Sequence, residues 1–273
     1  MTYDLREQHC AYAMRQPTKR SLIVPAVDRA ADILDVLKRE RGEHGLSELA
    51  RAIGANKGTV RQILVTLERH GLVQRNEDTK KYRLGYTMLE YARAVLRDMD
   101  LRRALRPPIS ELMDRTGETI IVSALDGNST IIVDRAVPDA DLRVYAPVGR
   151  RLPAIVGSMG KVLLAHAKDD ELDEILTSNP LSAFTPKSIV DVDAYRSALC
   201  QVQETGYALD DEEYMEGVRG VSAPIVDHRG RVVAALSVVG FTVRMSDQRL
   251  PEIIAQTIDT AHRISARLGA PAD

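Results

Sequence analysis

Apolar residues recur along the chain at two periods, and the switch between them divides it. Val27, Ala30, Ile33, Leu34 and Leu37 fall on one helical face; Leu49, Ala50 and Ile53 begin a second before Gly54 interrupts it. Ser47 is the expected N-cap of that second helix. Asn56 offers another cap, after which Val60, Ile63, Leu64 and Leu67 follow at i, i+3, i+4 and i+7 up to Gly71. A turn of only residues 54–56 does not let two helices pack side by side, so they should cross steeply as a helix-turn-helix. LVQR and YRL then read as β-prone segments around the charged turn NEDTKK, the pattern of a wing.

Met88, Ala92, Val95 and Met99 continue at helical spacing, and nothing interrupts them before Pro107-Pro108, so residues 86–106 are expected to form a linker helix. Its apolar stripe suits either a dimer contact or packing on its own domain. A short helix is expected at 109–115, ended by Gly117. The period then drops to two: TIIVSAL and STIIVDRAV flank Asp126-Gly127-Asn128, a strong hairpin signal. A third strand is expected at 142–148, further strands at 207–210, 221–226 and 231–239, and helices at 158–167, 169–176, 194–204 and 251–268. Hairpin-linked strands interrupted by helices predict an α+β class, with an antiparallel sheet covered by helices over 107–273. A winged helix-turn-helix domain is expected at 25–85. Residues 1–24, with Arg6, Arg15, Lys19 and Arg20 and no periodicity, read as a mobile, mildly basic arm.

Composition refines this picture. At 273 residues, with 44% hydrophobic and 28% charged residues, two domains are expected, and the absence of a long apolar run predicts a cytoplasmic protein. Cys10 and Cys200 form no zinc or disulfide pattern, and the six histidines are scattered, so no metal and no cofactor is expected. Net charge is −2, but residues 1–85 carry 16 Lys+Arg against 11 Asp+Glu, a local +5, whereas the remaining 21 against 28 give −7. A basic first third fits contact with DNA beside a domain that avoids it. The polar face of the helix after Asn56 carries Lys57, Arg61, Gln62 and Arg69; with Asn56, Thr59 and the wing residue Lys80 these are the expected DNA-binding positions.

Catalytic signatures fail on inspection. Gly157-Ser158-Met159-Gly160-Lys161 lacks the glycine at Ile155 and the hydroxyl residue at Val162 that a phosphate loop needs, and in Gly220-Val221-Ser222-Ala223-Pro224 a proline replaces the last glycine of a nucleophile elbow. Asp210 to Glu213 lacks the spacing of a calcium loop and suits a solvated turn. The helix start at Ser158 can present backbone N–H groups to a carboxylate, or be an ordinary N-cap. No enzymatic activity is expected; the competing reading is an enzyme carrying a winged-helix domain, of ligase or transferase type, and the loops of such enzymes are absent.

In order and spacing, VDRAADILDVL, LSELARAIGANKGTVRQILVTLERHGLV, KYRLG, GSMGKVLLA, ETGYALDDEEYMEGVRGVSAP and GRVVAALSV resemble the IclR family of bacterial transcription regulators, over about 25–268. The resemblance implies an N-terminal winged helix-turn-helix and a C-terminal GAF-like effector domain, in homodimers or dimers of dimers. It implies a repressor or activator of catabolic genes, acting on a near-palindromic double-stranded operator, with RNA polymerase as a candidate further partner. It also implies an effector pocket with Val144 and Leu152 as walls, Ser158 and Met159 at a helix start, and Asp210, Gly220, Ser237 and Val239. Gly220 stands where the family often has cysteine and Val239 where it can have serine, which suggests a roomier, less polar pocket. A small carboxylate effector, aromatic rather than two- or three-carbon, is the expectation.

Overall fold

The computed structural model describes residues 3–4, 23–39, 43–98 and 101–271. The chain divides into two compact units: Tyr3–Asp4 and the described residues from 101 onward belong to the larger, and those between 23 and 98 to the smaller. Of the arm expected at 1–24, only Tyr3–Asp4, a two-residue strand β1, and residues 23–24 are described; the rest lies outside the described residues.

The smaller unit holds α1 (Pro25–Arg39), α2 (Leu46–Ala52), α3 (Lys57–Arg69), the paired strands β2 (Val73–Arg75) and β3 (Tyr82–Leu84), and α4 (Thr87–Asp98). The apolar faces read from the sequence meet in one core: Ile33 and Leu37 of α1, Leu49 of α2, and Val60, Leu64 and Leu67 of α3, closed by Val73 and Tyr82 of the wing. Burying each such side chain contributes about 1.5–3 kcal/mol, so α1 to α3 are held by their shared core rather than by helix propensity. One expected cap differs. The helix begins at Leu46 with Gly45, not Ser47, as N-cap, and the Gly45 N–H donates to Glu48 Oε2 at 2.7 Å. That bond holds the Glu48 carboxyl below its ordinary range.

In the larger unit, α5 (Leu101–Thr116) leads into β4 (Thr119–Asp126) and β5 (Ser129–Ala136), whose two-residue loop bears the predicted Gly127 at φ +56°. Then come β6 (Val144–Tyr145), parallel to β1, β7 (Arg151–Pro153), α6 (Gly157–Ala165), α7 (Asp169–Ser178), α8 (Val192–Thr205), β8 (Ala208–Asp211), β9 (Val218–Val226), β10 (Val232–Phe241) and α9 (Leu250–Arg267). The six-stranded sheet runs β7-β5-β4-β10-β9-β8, antiparallel throughout. Helices α5 and α9 pack with each other and against strands of the sheet, and α6 lies across β8, β9 and β10. The α6 side forms one apolar cluster that includes Ile121, Ile132 and Ala235 of the sheet, Val162 and Leu163 of α6, and Leu199 of α8.

Two further expectations are corrected. Pro107 and Pro108 do not end a linker helix; they lie inside α5, which belongs to the larger unit, and residues 99–100 between α4 and α5 lie outside the described ones. A proline in a helix interior costs about 3 kcal/mol, and here Leu105, Ile109 and Leu112, each 1% exposed, supply a buried stripe large enough to offset it. The strand expected at 142–148 shrinks to Val144–Tyr145 and lies outside the six-stranded sheet, because Leu142 and Val148 face solvent and Pro147 lacks a ladder donor. Its place beside β5 is taken by β7, where an arginine, a leucine and a proline give no strand pattern.

Candidate functional site

Two regions gather the chemistry. In the smaller unit, Asn56 Oδ1 accepts the Thr59 N–H at 2.8 Å, so its side chain caps α3. Because the helix buries Val60, Ile63, Leu64 and Leu67, the opposite face is left outward, and Lys57, Arg61, Gln62 and Arg69 all stand exposed on it, with Thr59 half-buried at the first turn. Val65, 57% exposed, stands on the same face between Arg61 and Arg69 at helical spacing and is not among the expected positions. The wing turn is built by Asn76, whose Oδ1 accepts the N–H groups of Asp78 and Thr79, and it is clamped by Glu43, which accepts from Asn76 Nδ2 at 2.8 Å and Thr79 Oγ1 at 2.6 Å. Lys80 sits exposed at φ +58° at the end of that turn, 3.1 Å from Glu77. Glu43 was not foreseen, since 33 residues separate it from Asn76.

The second region surrounds the start of α6. Val156 precedes the helix without a side-chain cap, and Gly157 enters it at φ +71°. Ser158 is 1% exposed, and its hydroxyl is not a cap: Ser158 Oγ, Ser222 Oγ and Ser237 Oγ form a buried chain with both links 2.7 Å long. Ser222 is thus a missing member of the expected set. Its signal was the pairing of VSAP with LSV, which in register sets Ser222 opposite Ser237. Gly220 does not open room here, contrary to expectation, because a Cβ on it would lie 2.8 Å from Ser158 Oγ. The space freed by the missing side chain is taken by that hydroxyl.

Asp210 closes the other side. Its Oδ1 accepts the N–H of Glu213 at 2.7 Å, and its Oδ2 lies 3.3 Å from where a Cβ on Gly157 would be. Burial, and then the charge of Glu213, push its carboxyl up to about 6. Lys161, 5% exposed, pairs with Glu213 Oε1 at 2.6 Å and donates to the Leu209 carbonyl at 2.7 Å. The supposed solvated turn is therefore a partly buried charged cluster. Ser158, Asp210, Gly220 and Ser237 are brought together by α6, β8, β9 and β10. Leu152, Met159 and Val239 join one apolar cluster beside them, whereas Val144, though 3% exposed, is outside that cluster and holds Thr119 Oγ1 through its carbonyl. Beyond β7 a cleft of about 210 Å³ opens between Leu152 and Phe184, and Leu152 alone of the expected pocket residues lines it.

Among the described residues no three His, Cys, Asp or Glu side chains gather to hold a metal, and no helix is long and apolar enough to cross a membrane.

Known proteins share this architecture. The IclR helix-turn-helix domain matches residues 26–77, and the C-terminal domain of the bacterial transcriptional regulator IclR matches residues 93–266. The HTH-type transcriptional regulator XynR of Escherichia coli K12 is 35% identical over 92% of this chain and 99% of its own length. The crystal structure of the Thermotoga maritima IclR superposes with a TM-score of 0.75 at 29% identity, covering 89% of this chain and 98% of that one. An IclR homologue from Microbacterium hydrocarbonoxydans, complexed with 4-hydroxybenzoate, does so with a TM-score of 0.79 at 25% identity, over 89% and 98%. Matched in both of its units and along nearly the whole length of such relatives, the chain belongs to the IclR family of bacterial transcriptional regulators.

Proposed function

We propose that the chain binds a near-palindromic operator as a homodimer or dimer of dimers, in the cytoplasm, and that a single-ring carboxylate controls it. It acts in this reading as a regulator of catabolic genes and not as an enzyme; its relatives are transcriptional regulators. Arg61 and Gln62 read base edges from the first turns of α3, Lys57 and Thr59 lie beside them, Arg69 and Lys80 neutralise phosphates, and Asn56 sets the helix start. One winged unit offers few base contacts, which is why two-fold pairing on DNA belongs to the proposal.

The observation that carries the effector reading is the convergence of polar groups at the α6 start within an apolar surround. Ser158, Ser237 and Asp210 are buried there beside Met159, Leu152 and Val239. The first-turn N–H groups of α6 favour an anion. Asp210 repels one when ionised, but it accepts a ligand hydroxyl, so a hydroxybenzoate suits the site better than a short keto acid. The 4-hydroxybenzoate complex of the Microbacterium hydrocarbonoxydans homologue supports this choice. The test is operator binding by the full chain, titrated with 4-hydroxybenzoate and with pyruvate. A shift in operator affinity with 4-hydroxybenzoate, abolished by Gly220→Ala, is expected; a response to pyruvate with the hydroxybenzoate inert would refute it.

A further inference from the structure

The wing turn carries a lysine where its geometry favours glycine, and a carboxylate from before α2 holds that turn closed. The Asn76 N–H donates to the Lys81 carbonyl at 2.8 Å and the Lys80 N–H to the Asn76 carbonyl at 2.9 Å, so the turn ends on Lys80 at φ +58°. A hairpin loop that ends on a left-handed residue favours glycine there, because a Cβ in that region crowds the following carbonyl. Lys80 carries this strain, and an outlier of this kind points to a use for the side chain. Lys80 is exposed, and its ammonium lies 3.1 Å from Glu77 Oε2.

What holds the turn is Glu43. Its two oxygens accept Asn76 Nδ2 at 2.8 Å and the Thr79 hydroxyl at 2.6 Å, while Asn76 Oδ1 itself accepts the Asp78 and Thr79 N–H groups. The next residue, His44, exchanges backbone hydrogen bonds of 2.9 and 2.8 Å with Tyr82, which is buried in the core of the smaller unit. The clamp is thereby rooted in packed structure. The bonds from Thr79 and Asn76, and then the charges of Arg83 and Lys81, hold the Glu43 carboxyl below its ordinary range, so it is ionised at neutral pH. By charge alone, a third carboxylate near Glu77 and Asp78 works against a phosphate backbone. We propose that Glu43 is a positioning residue for DNA binding: by closing the 76–81 turn it keeps Lys80 in its left-handed conformation and so fixes where the ammonium meets a phosphate. This rests on the reading of Lys80 as a phosphate contact. Charge and positioning predict opposite signs for the loss of Glu43.

Binding of the full chain to a scrambled-sequence duplex, followed by fluorescence anisotropy across about 50–200 mM salt, tests this, because phosphate contacts carry no sequence information. Lys80→Ala should weaken binding and lower the salt slope by about one. Glu43→Ala should weaken it about threefold or more, although it removes a negative charge, and the double variant should bind no more weakly than Lys80→Ala. Glu43→Gln keeps an acceptor for Asn76 and an amide for Thr79, and should bind at least as tightly as wild type. Lys80→Gly, which relieves the turn, should unfold no earlier than wild type yet bind as weakly as Lys80→Ala. If Glu43→Ala does not fold, Thr79→Val, which deletes one bond of the clamp, decides: weaker binding is expected, and wild-type binding would refute the role. Lys80→Ala binding like wild type would overturn the phosphate reading and the proposal with it. Glu43→Ala binding as tightly as wild type or tighter, additive losses in the double variant, or Glu43→Gln as weak as Glu43→Ala would overturn the positioning role alone.

Discussion

Helices α3 and α6 each begin a region of functional interest, and they begin in opposite ways. The α3 start is capped by its own Asn56, and its polar side chains stand in water. The α6 start follows a valine, and eight of its nine residues are buried, Ser158 and Lys161 among them. Exposed cations are screened within about 8 Å at physiological salt, so what α3 does must depend on ionic strength. Groups buried around α6 escape that screening, and they respond to protonation and packing instead. The polar groups of one helix face water; those of the other are already engaged with each other.

The comparison can be broken at four places, in decreasing order of effect. Lys161→Met should destabilise the larger unit by roughly 3 kcal/mol, because it strands the Glu213 carboxylate in a largely buried setting, whereas Lys57→Met on α3 should change stability by less than about 0.5 kcal/mol. Urea unfolding of both variants measures the contrast. Asp210→Asn should stabilise the fold by about 1–3 kcal/mol at pH 8 and by little below pH 4. The sign follows from the raised carboxyl: the folded state holds its proton up to about pH 6 while the unfolded chain releases it near 4, so stability falls as pH rises between them. An unfolding midpoint with the same pH dependence in variant and wild type would contradict this.

On the exposed side, Arg61→Ala should cost about 1–3 kcal/mol of operator affinity and relax base preference, while Arg69→Ala should weaken all sequences alike and lower the salt slope by about one. Salt-controlled titrations of operator and scrambled DNA separate the two. The smallest effect is expected from Asn56→Ala, about 1 kcal/mol from the lost cap, read by thermal unfolding.

What the sequence made legible was local and periodic. The Asn56 cap, the Asp126-Gly127-Asn128 hairpin and the apolar stripe of α3 each announce themselves within a few residues, and they stand as expected. What it concealed depends on distant partners. Pro107 and Pro108 signal a helix end until Ile109 and Leu112 are known to be buried. Ser222 carries no mark of its role without the register that places it opposite Ser237 and under Ser158. The acidic run looks solvated until Lys161, some 50 residues earlier, is brought onto Glu213. For the same reason Gly220 suggested empty space, though it is the neighbour on α6 that fills it.

The three linked serines have one property that follows from counting hydrogens. Three hydroxyls offer three protons to two links, so one proton is left over, and it lies at an end of the row whenever Ser222 donates within it. If Ser222 donates to Ser237, then Ser158 must donate to Ser222, and Ser158 presents only a lone pair at the helix start. With both links reversed, the spare proton moves to Ser158, which then offers a donor. The row is a directional wire with two polarities, and an acceptor arriving at the α6 start would set the orientation of a hydroxyl two strands away on β10.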